Sequence, residues 1–150
     1  MSSEVRAVQA HISVITLGVS DLDRSLRFYR QLGVSFPGIV GTEFVGDERE
    51  PGGSAAMFTF GNGLILSLYG REDLAKDAGI PVERVAGSPV SLGWFLGSRA
   101  EVDSALQLAR VAGGAIVHPP RQRPWGIYAG YFADPDGHLW EVVFFEDRAS

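Results

Sequence analysis

Apolar and polar residues alternate over His11–Val19, and apolar residues at helical spacing follow directly. Alternation with β-branched residues predicts a strand, whose odd-numbered residues form the more apolar face. Asp21 is placed to cap a helix, because its carboxylate can accept from free backbone N–H groups, and Gly33 is placed to end it. The helix is predicted from the apolar residues that recur along one side: Leu22, Leu26, Tyr29 and Leu32.

A hairpin is predicted further along the chain. The Asn-Gly pair at positions 62 and 63 is typical of a two-residue turn, because such turns need positive φ at both central residues. This turn would join strands over Ala55–Gly61 and Leu64–Tyr69. A two-residue loop sets the register of pairing, and it predicts that Phe58 lies opposite Ser67.

The middle of the chain, Gly70–Pro89, is predicted to be a linker with a short helix over Arg71–Ala78. Val90–Leu96 alternates again and predicts a strand. Ser98 and Glu101 have the spacing of a capping box. The helix that follows is predicted from a stripe of apolar residues: Val102, Leu106, Ala109 and Ala112.

The last part of the chain consists of short strands and turns. Ala115–His118, Gly130–Ala133 and His138–Phe145 are predicted strands. Arg121–Tyr128, which proline and glycine interrupt, is predicted to be a loop, and Asp134–Gly137 has the residues of a turn.

The order of strand, helix and several strands therefore occurs twice, which predicts an α+β fold built from two similar halves. Each half-sheet carries a helix on one face. Its other face must be covered too, most simply by curving around a cleft that both halves share.

Composition narrows the class of protein. The chain has 150 residues, of which 45% are hydrophobic and 21% charged, and this predicts a globular protein with one domain, or with two small modules that share a core. The absence of cysteine excludes a thiolate zinc site and a cysteine nucleophile. A net charge of −5 argues against nucleic acid as a partner. No apolar stretch approaches the roughly 18 residues of a membrane helix, so we expect a soluble, cytoplasmic protein without a membrane partner.

Two segments, TLGVSDLDRSLRFYRQLG at 16–33 and WGIYAGYFADPDGHLWEVVFF at 125–145, resemble the vicinal oxygen chelate superfamily. This superfamily includes glyoxalase I, extradiol dioxygenases and the bleomycin- and fosfomycin-resistance proteins. The resemblance implies one domain over 1–150 with paired βαβββ modules, helices outside and a cleft between them, commonly in a homodimer. Module one would span about 11–70, the linker 71–89 and module two 90–146.

Metal enzymes of the superfamily place one ligand on each of four inner strands. Carried over position by position, the resemblance assigns these places to Val14, Ser67, Ser91 and Glu141. Valine cannot coordinate a metal, and a serine hydroxyl is a poor ligand beside imidazole or carboxylate. We therefore expect no metal ion and no cofactor, and neither glyoxalase I nor dioxygenase chemistry in its metal-dependent form.

Glu141 is the sharpest candidate for function. It lies on the cleft-facing side of its predicted strand, between Leu139 and Val143, while Trp140 and Val142 face the core. A carboxylate among apolar neighbours is costly unless it is paired or protonated. It could anchor a ligand or act as general acid or base. It could equally be a carboxylate without function that a hydroxyl, an arginine or water satisfies. Thr16, Ser67 and Ser91 are predicted to face the same cleft.

Aromatic side chains are expected to line the cleft, a wall that suits a planar or apolar small molecule. Each could also be simple packing. Arg121 and Arg123 could hold an anion, although solvated charges are the favoured interpretation. His11, His118 and His138 lack the spacing of a metal site. The candidate aromatic residues are Phe58, Phe60, Tyr69, Phe95, Trp125 and Tyr128.

Three functions are consistent with these features. The favoured one is a metal-independent protein that binds a small organic ligand, as the bleomycin-binding branch of the superfamily does. The alternative is a glyoxalase-type lyase or isomerase that uses Glu141 as general base. The third is an interaction domain whose cleft is filled by its own aromatic side chains.

Overall fold

The computed structural model describes residues 9–37, 55–85 and 90–146. These residues form helices α1 (Leu22–Gln31), α2 (Arg71–Ala78) and α3 (Arg99–Val111). The strands are β1 (Val14–Val19), β2 (Ala55–Thr59), β3 (Ile65–Gly70), β4 (Ser91–Phe95), β5 (Ala115–Arg123), β6 (Ile127–Ala133) and β7 (Leu139–Phe145). In the described part of the chain, no helix is both long and apolar enough to cross a bilayer.

The strands form two separate sheets, one from each half of the chain. The first has the order β1-β3-β2 and the second the order β4-β7-β6-β5. In each, the strand before the helix runs parallel to a later strand, β1 to β3 and β4 to β7, while the other pairs are antiparallel. The predicted α+β class and the repeat of strand, helix and strands are confirmed.

The helix termini follow the predicted capping chemistry. The Asp21 carboxylate accepts from the Arg24 backbone N–H at 3.0 Å, and Gly33 has a φ of 103° just beyond α1. The Ser98 hydroxyl accepts from the Glu101 N–H at 3.1 Å, while the Glu101 carboxylate accepts from the Gly97 N–H at 2.9 Å. Both helices therefore start where local sequence predicts, and Arg71–Ala78 forms a helix with the predicted bounds.

One apolar cluster contains residues of both halves. On β1 the odd-numbered residues Leu17 and Val19 are buried in it, as their parity predicts. Trp94 and Trp140 pack against the same cluster, so they lie on the helix side of the second sheet. Helices α1 and α3 contact each other. The two halves thus share one core rather than forming separate modules.

Tyr29 joins the halves through a buried polar contact. Its hydroxyl, on α1, donates to the Asp134 carboxylate at 2.6 Å and accepts from the Trp140 indole N–H at 3.1 Å. Asp134 is only 4% exposed and also accepts from the backbone N–H groups of Asp136 and His138. Burial, and then the negative charge of Asp134, hold the pKa of Tyr29 well above its ordinary value of 10.0.

The turn after β6 makes a second set of contacts with the first half. The Asp136 carboxylate accepts from the Ser20 backbone N–H at 2.9 Å and from the Ser20 hydroxyl at 2.8 Å. Arg24 forms an ion pair with it at 3.4 Å. The His138 Nε2 lies 2.8 Å from the Gly18 carbonyl oxygen. The Asp134–Gly137 turn, predicted as a turn and nothing more, therefore also fixes how the halves dock.

The predicted register of the first hairpin is wrong by one residue. Phe58 pairs with Leu66, whereas Met57 lies opposite Ser67. The cause is a three-residue loop instead of a two-residue turn: the Phe60 N–H donates to the Leu64 carbonyl at 2.9 Å, and among the loop residues only Gly63 has positive φ. Because side chains alternate between faces, this shift moves Phe58 to the opposite face from Ser67.

The predicted loop over Arg121–Tyr128 is wrong as well. β5 continues to Arg123 and β6 begins at Ile127, leaving a short helical turn over Pro124–Gly126. The proline and glycine that suggested the loop, Pro124 and Gly126, lie within this turn. Pro119 and Pro120 lie where the β5–β6 register shifts, so their missing N–H groups leave the pairing on either side intact. The last residues of the predicted linker, 86–89, lie outside the described residues.

Replacing Tyr29 with phenylalanine is expected to lower the free energy of unfolding by about 1–3 kcal/mol, because one oxygen of the buried Asp134 carboxylate and the part-buried Trp140 N–H lose their partner. Urea denaturation measures this loss. Tyr128→Phe is the matched control: its hydroxyl donates to the Asp103 carboxylate at 2.6 Å on the surface, and its loss should cost under about 1 kcal/mol. Equal losses in the two variants would contradict the role assigned to Tyr29.

Candidate functional site

Glu141 lies in the middle of the second sheet. It is half-buried and is paired with Gly93 on β4 and Tyr131 on β6. Its strand neighbours Trp140, Val142 and Phe144 all belong to the core or pack against it, as predicted. The side chain of Glu141 therefore points away from the helices. We call this side of the second sheet the Glu141 face.

Tyr131 is the polar neighbour of Glu141 on this face. Burial raises the pKa of Tyr131 above its ordinary value, and so do hydrogen bonding to the Glu141 carboxylate and the charge of that group. The positive charges of Arg123 and Arg121 act in the opposite direction. The Tyr131 side chain is thus the cross-strand neighbour of the Glu141 carboxylate, and the sequence interpretation did not name it. The pairing of β6 with β7 across the Asp134–Gly137 turn is the signal that identifies it.

The resemblance assigned three further positions to metal ligands, and the structure divides them between the two sheets. Val14 and Ser67 lie on the outer face of the first sheet, where Thr16 pairs directly with Ser67. Val14 is 45% exposed and Ser67 is buried. Ser91 is exposed on the Glu141 face, two residues before Gly93. Among these residues only Glu141 carries a strong metal ligand.

The donor set does not fit a divalent transition metal. A tetrahedral or octahedral site needs several imidazole, carboxylate or thiolate groups. In residues 9–37, 55–85 and 90–146, no three His, Asp or Glu side chains are arranged so that they could hold a metal ion, and the sequence has no cysteine. His118 and His138 each lie within hydrogen-bond distance of a backbone carbonyl, that of Pro119 and that of Gly18. We derive no step through a metal ion for this reason.

The linker helix covers part of the first sheet. A side chain at Gly18 would meet Val85 at 2.5 Å and Leu74 at 3.2 Å, so the outer face of β1 is closed at this end. Tyr69 lies beside the same helix: burial raises its pKa, followed by the charges of Asp77 and Asp73. Tyr69 is therefore on the predicted face but under α2.

The candidate aromatic residues separate into two groups. Phe58 and Phe60 pack edge to face, with ring centroids 5.2 Å apart, on the helix side of the first sheet. Phe95 is 61% exposed and contacts Phe145 at 4.9 Å. These three lie around one cavity, described next.

Tyr128 and Trp125 lie elsewhere. Tyr128 faces α3, where it donates to Asp103 and carries the Arg99 guanidinium 4.9 Å above its ring. Trp125 is 86% exposed in the β5–β6 turn with a φ of 65°. Phe58 and Tyr128 are both expected on the cleft-facing side of their strands, but the register places both on the helix side of their sheets.

A cavity of about 730 Å³ lies between the two sheets. It is bounded by the end of α1, by the hairpin of β2 and β3, and by β4, and most of its exposed surface is apolar. We call it the aromatic cavity. Its principal lining side chains are Tyr29, Phe58, Phe60, Trp94, Phe95 and Trp140.

Gly93 links the aromatic cavity to the Glu141 face. It lines the cavity and is also the β4 partner of Glu141, so the carboxylate lies one strand away, about 5 Å at the backbone. Of the atoms in the described ranges, a Cβ atom at position 93 would meet only a Phe95 ring carbon, at 3.7 Å. The absence of a side chain therefore leaves open space at this edge. A glycine inside a predicted strand is the sequence feature that indicates open space of this kind beside the backbone.

Comparison of the sequence and the structure with those of known proteins supports the fold described above. A sequence profile of the Glyoxalase/Bleomycin resistance protein/Dioxygenase superfamily matches residues 10–142, and the chain belongs to this superfamily. The sequence-based resemblance is thereby confirmed. No curated protein matches the chain.

Several solved structures are similar. A glyoxalase-related enzyme from Fulvimarina pelagi is 28% identical, with 91% of this chain and 88% of that chain covered and a TM-score of 0.75. A glyoxalase/bleomycin resistance protein/dioxygenase from Nocardioides is 27% identical over 94% and 87%, with a TM-score of 0.68. A family enzyme from Burkholderia phytofirmans PsJN, 16% identical over 91% and 99% with a TM-score of 0.66, shows the shared fold.

Glu141→Gln is expected to lower the pKa of Tyr131 toward its ordinary value of 10.0. The carboxylate disfavours the tyrosinate, and an uncharged amide removes that repulsion. NMR titration of protein with 13C-labelled tyrosine rings measures the shift, and Tyr131→Phe assigns the signal. The Tyr128 signal is the internal control, since it should titrate unchanged. An unaltered Tyr131 titration would contradict the pairing of Tyr131 with Glu141.

Proposed function

We propose that this protein binds a small, planar organic molecule without a metal ion. The observation that carries the proposal is the aromatic cavity, whose volume of about 730 Å³ is in the range of small-molecule sites. Aromatic walls bury a flat ligand well and favour offset or edge-to-face contacts with it. Membership of a superfamily that includes bleomycin resistance proteins agrees with a binding role.

The Glu141 carboxylate does not line the cavity itself but lies one strand beyond Gly93 at its edge, and it extends the proposal. The apolar part of the ligand would lie between the hairpin and β4, and a polar group would extend past Gly93 toward Glu141 and Tyr131. The half-buried carboxylate has two acceptor oxygens. It would accept a hydrogen bond from such a group in addition to its interaction with the Tyr131 hydroxyl, and this binding needs no cation.

The third interpretation, a cleft filled by the protein's own aromatic residues, is less well supported. Among the described residues, Phe58, Phe60 and Trp94 contact the core on one side and do not fill the cavity on the other. A filled cleft would leave no space of this size.

A specific observation favours the enzymatic alternative as a second candidate. Glu141 as base and the Tyr131 hydroxyl as proton donor lie side by side, which is the arrangement that proton transfer next to a carbonyl requires. The enzymatic alternative and binding alone are distinguished by NMR, which measures the rate at which the C–H protons of hydroxyacetone exchange in D₂O. Catalysed exchange that disappears in Glu141→Gln supports a lyase or isomerase. Exchange at the uncatalysed rate in both proteins supports binding alone.

Binding is expected to depend on open space at Gly93. With 2-naphthol as probe and EDTA present, calorimetry should detect binding to the native protein and to Gly93→Ala, because a Cβ atom fits there. Gly93→Leu should weaken binding at least about tenfold, since a branched side chain would occupy the cavity edge. Equal binding by the leucine variant, with an unchanged urea midpoint in all three proteins, would contradict the proposed site.

Metal ions are expected not to bind stoichiometrically. Chelator-treated protein titrated with Ni²⁺, Zn²⁺, Fe²⁺ and Mn²⁺ should show no one-to-one complex, because in the described part of the chain Glu141 belongs to no group of three side chains that could hold a metal ion. Glu141→Gln removes the candidate carboxylate, and Glu83→Gln, which removes an exposed carboxylate elsewhere, is its matched control. A tight one-to-one complex that Glu141→Gln abolishes and Glu83→Gln retains would overturn metal independence.

A further inference from the structure

The extension of β5 gives two arginines fixed positions. Arg121 pairs with Ala129 and Arg123 pairs with Ile127. Cross-strand partners point to the same face of a sheet, and Ala129 and Ile127 have the parity of Tyr131. Both arginines therefore lie on the Glu141 face rather than in an irregular loop.

The residue between them confirms this orientation. Gln122 pairs with Tyr128 and accepts a hydrogen bond from Arg99 on the α3 side of the sheet. Since successive side chains alternate, Arg121 and Arg123 point to the other side. Their charges reach Tyr131, whose pKa they lower against the effect of Glu141.

The charge of this face differs from that of the whole chain. The chain carries −5, whereas the β5–β7 part of the Glu141 face carries two guanidinium groups, one carboxylate and the imidazole of His118, which pairs with Tyr131. Within the described residues, the ion pairs are those of Arg24 with Asp136 and Arg99 with Glu146. Neither Arg121 nor Arg123 has a carboxylate partner in that part of the chain.

We propose that Arg121 and Arg123 bind the carboxylate of an organic anion on the Glu141 face; this rests on the proposed small-molecule function and names the class of its ligand. Residues two apart on a strand are roughly 7 Å apart at Cα, so both guanidinium groups can reach one carboxylate. Guanidinium forms paired hydrogen bonds with carboxylate oxygens. The β6 strand with Tyr131 separates the arginines from the Glu141 carboxylate on β7, so the bound anion does not lie directly beside that charge.

Three probes of one shape and different charge test the proposal: benzoate, benzamide and benzamidine. Amide chemical shifts of the 15N-labelled full chain give the affinity and the place of binding. Benzoate should shift the amides of Ala129 and Tyr131 and bind at least about tenfold more tightly than benzamide, which corresponds to one charge-assisted hydrogen bond pair. Benzamidine should bind more weakly still.

Variants distinguish binding by Arg121 and Arg123 from a general effect of positive charge on the protein. Arg121→Gln and Arg123→Gln should each reduce the preference for benzoate, and the double variant should abolish it. Arg110→Gln, on the exposed side of α3, should leave it unchanged. Glu141→Gln should keep or strengthen benzoate binding.

The outcomes distinguish this inference from the proposed function. If benzoate and benzamide bind the Glu141 face equally, or if Arg110→Gln reduces benzoate binding as much as the double variant does, the arginine site is wrong. If benzoate fails to bind while 2-naphthol binds in the aromatic cavity, the anion site alone fails. If neither probe binds, both proposals are overturned.

Discussion

The hydrogen bond between the Tyr29 hydroxyl and the buried Asp134 carboxylate is the constraint on which the arrangement of the two halves depends. A carboxylate this buried needs its hydrogen bonds satisfied, and Tyr29 together with two backbone N–H groups supplies them. The same hydroxyl accepts from Trp140, whose ring stacks on Phe132 with an interplanar angle of 4°. Because Tyr29 and Trp140 both line the aromatic cavity, the contact that joins the halves also shapes the candidate site.

The parts of the fold that sequence predicts well depend on local chemistry. The Asp21 cap, the Ser98–Glu101 box and the helix over Arg71–Ala78 each follow from residues within a few positions of one another. The register of the first hairpin is decided by whether the loop has two or three residues, and an Asn-Gly pair preceded by a glycine allows both. One hydrogen bond, from the Phe60 N–H to the Leu64 carbonyl, selects the longer loop. That selection moves Phe58 to the other face of the sheet.

The candidate site was only partly predictable for a similar reason. The parity of β7 and the resemblance are enough to single out Glu141, and the valine and serines at the other ligand positions are visible in the sequence. Tyr131, Arg121 and Arg123 depend instead on long-range pairing, and the prolines before Arg121 hide a continuous strand. The aromatic cavity depends on how two sheets approach each other, which no local pattern encodes. Fold-level similarity could not supply these residues either, because function depends on the particular side chains in a site.

The central claim is that a flat organic molecule occupies the aromatic cavity while Glu141 stays free of metal. The most direct measurement is a crystal structure of the complex with 2-naphthol, grown in the presence of Ni²⁺ and recorded at the nickel absorption edge. The account predicts ring density between Phe58 and Trp94 and no anomalous peak at the Glu141 carboxylate. A nickel peak about 2 Å from that carboxylate, with further side chains coordinating it, would contradict the account.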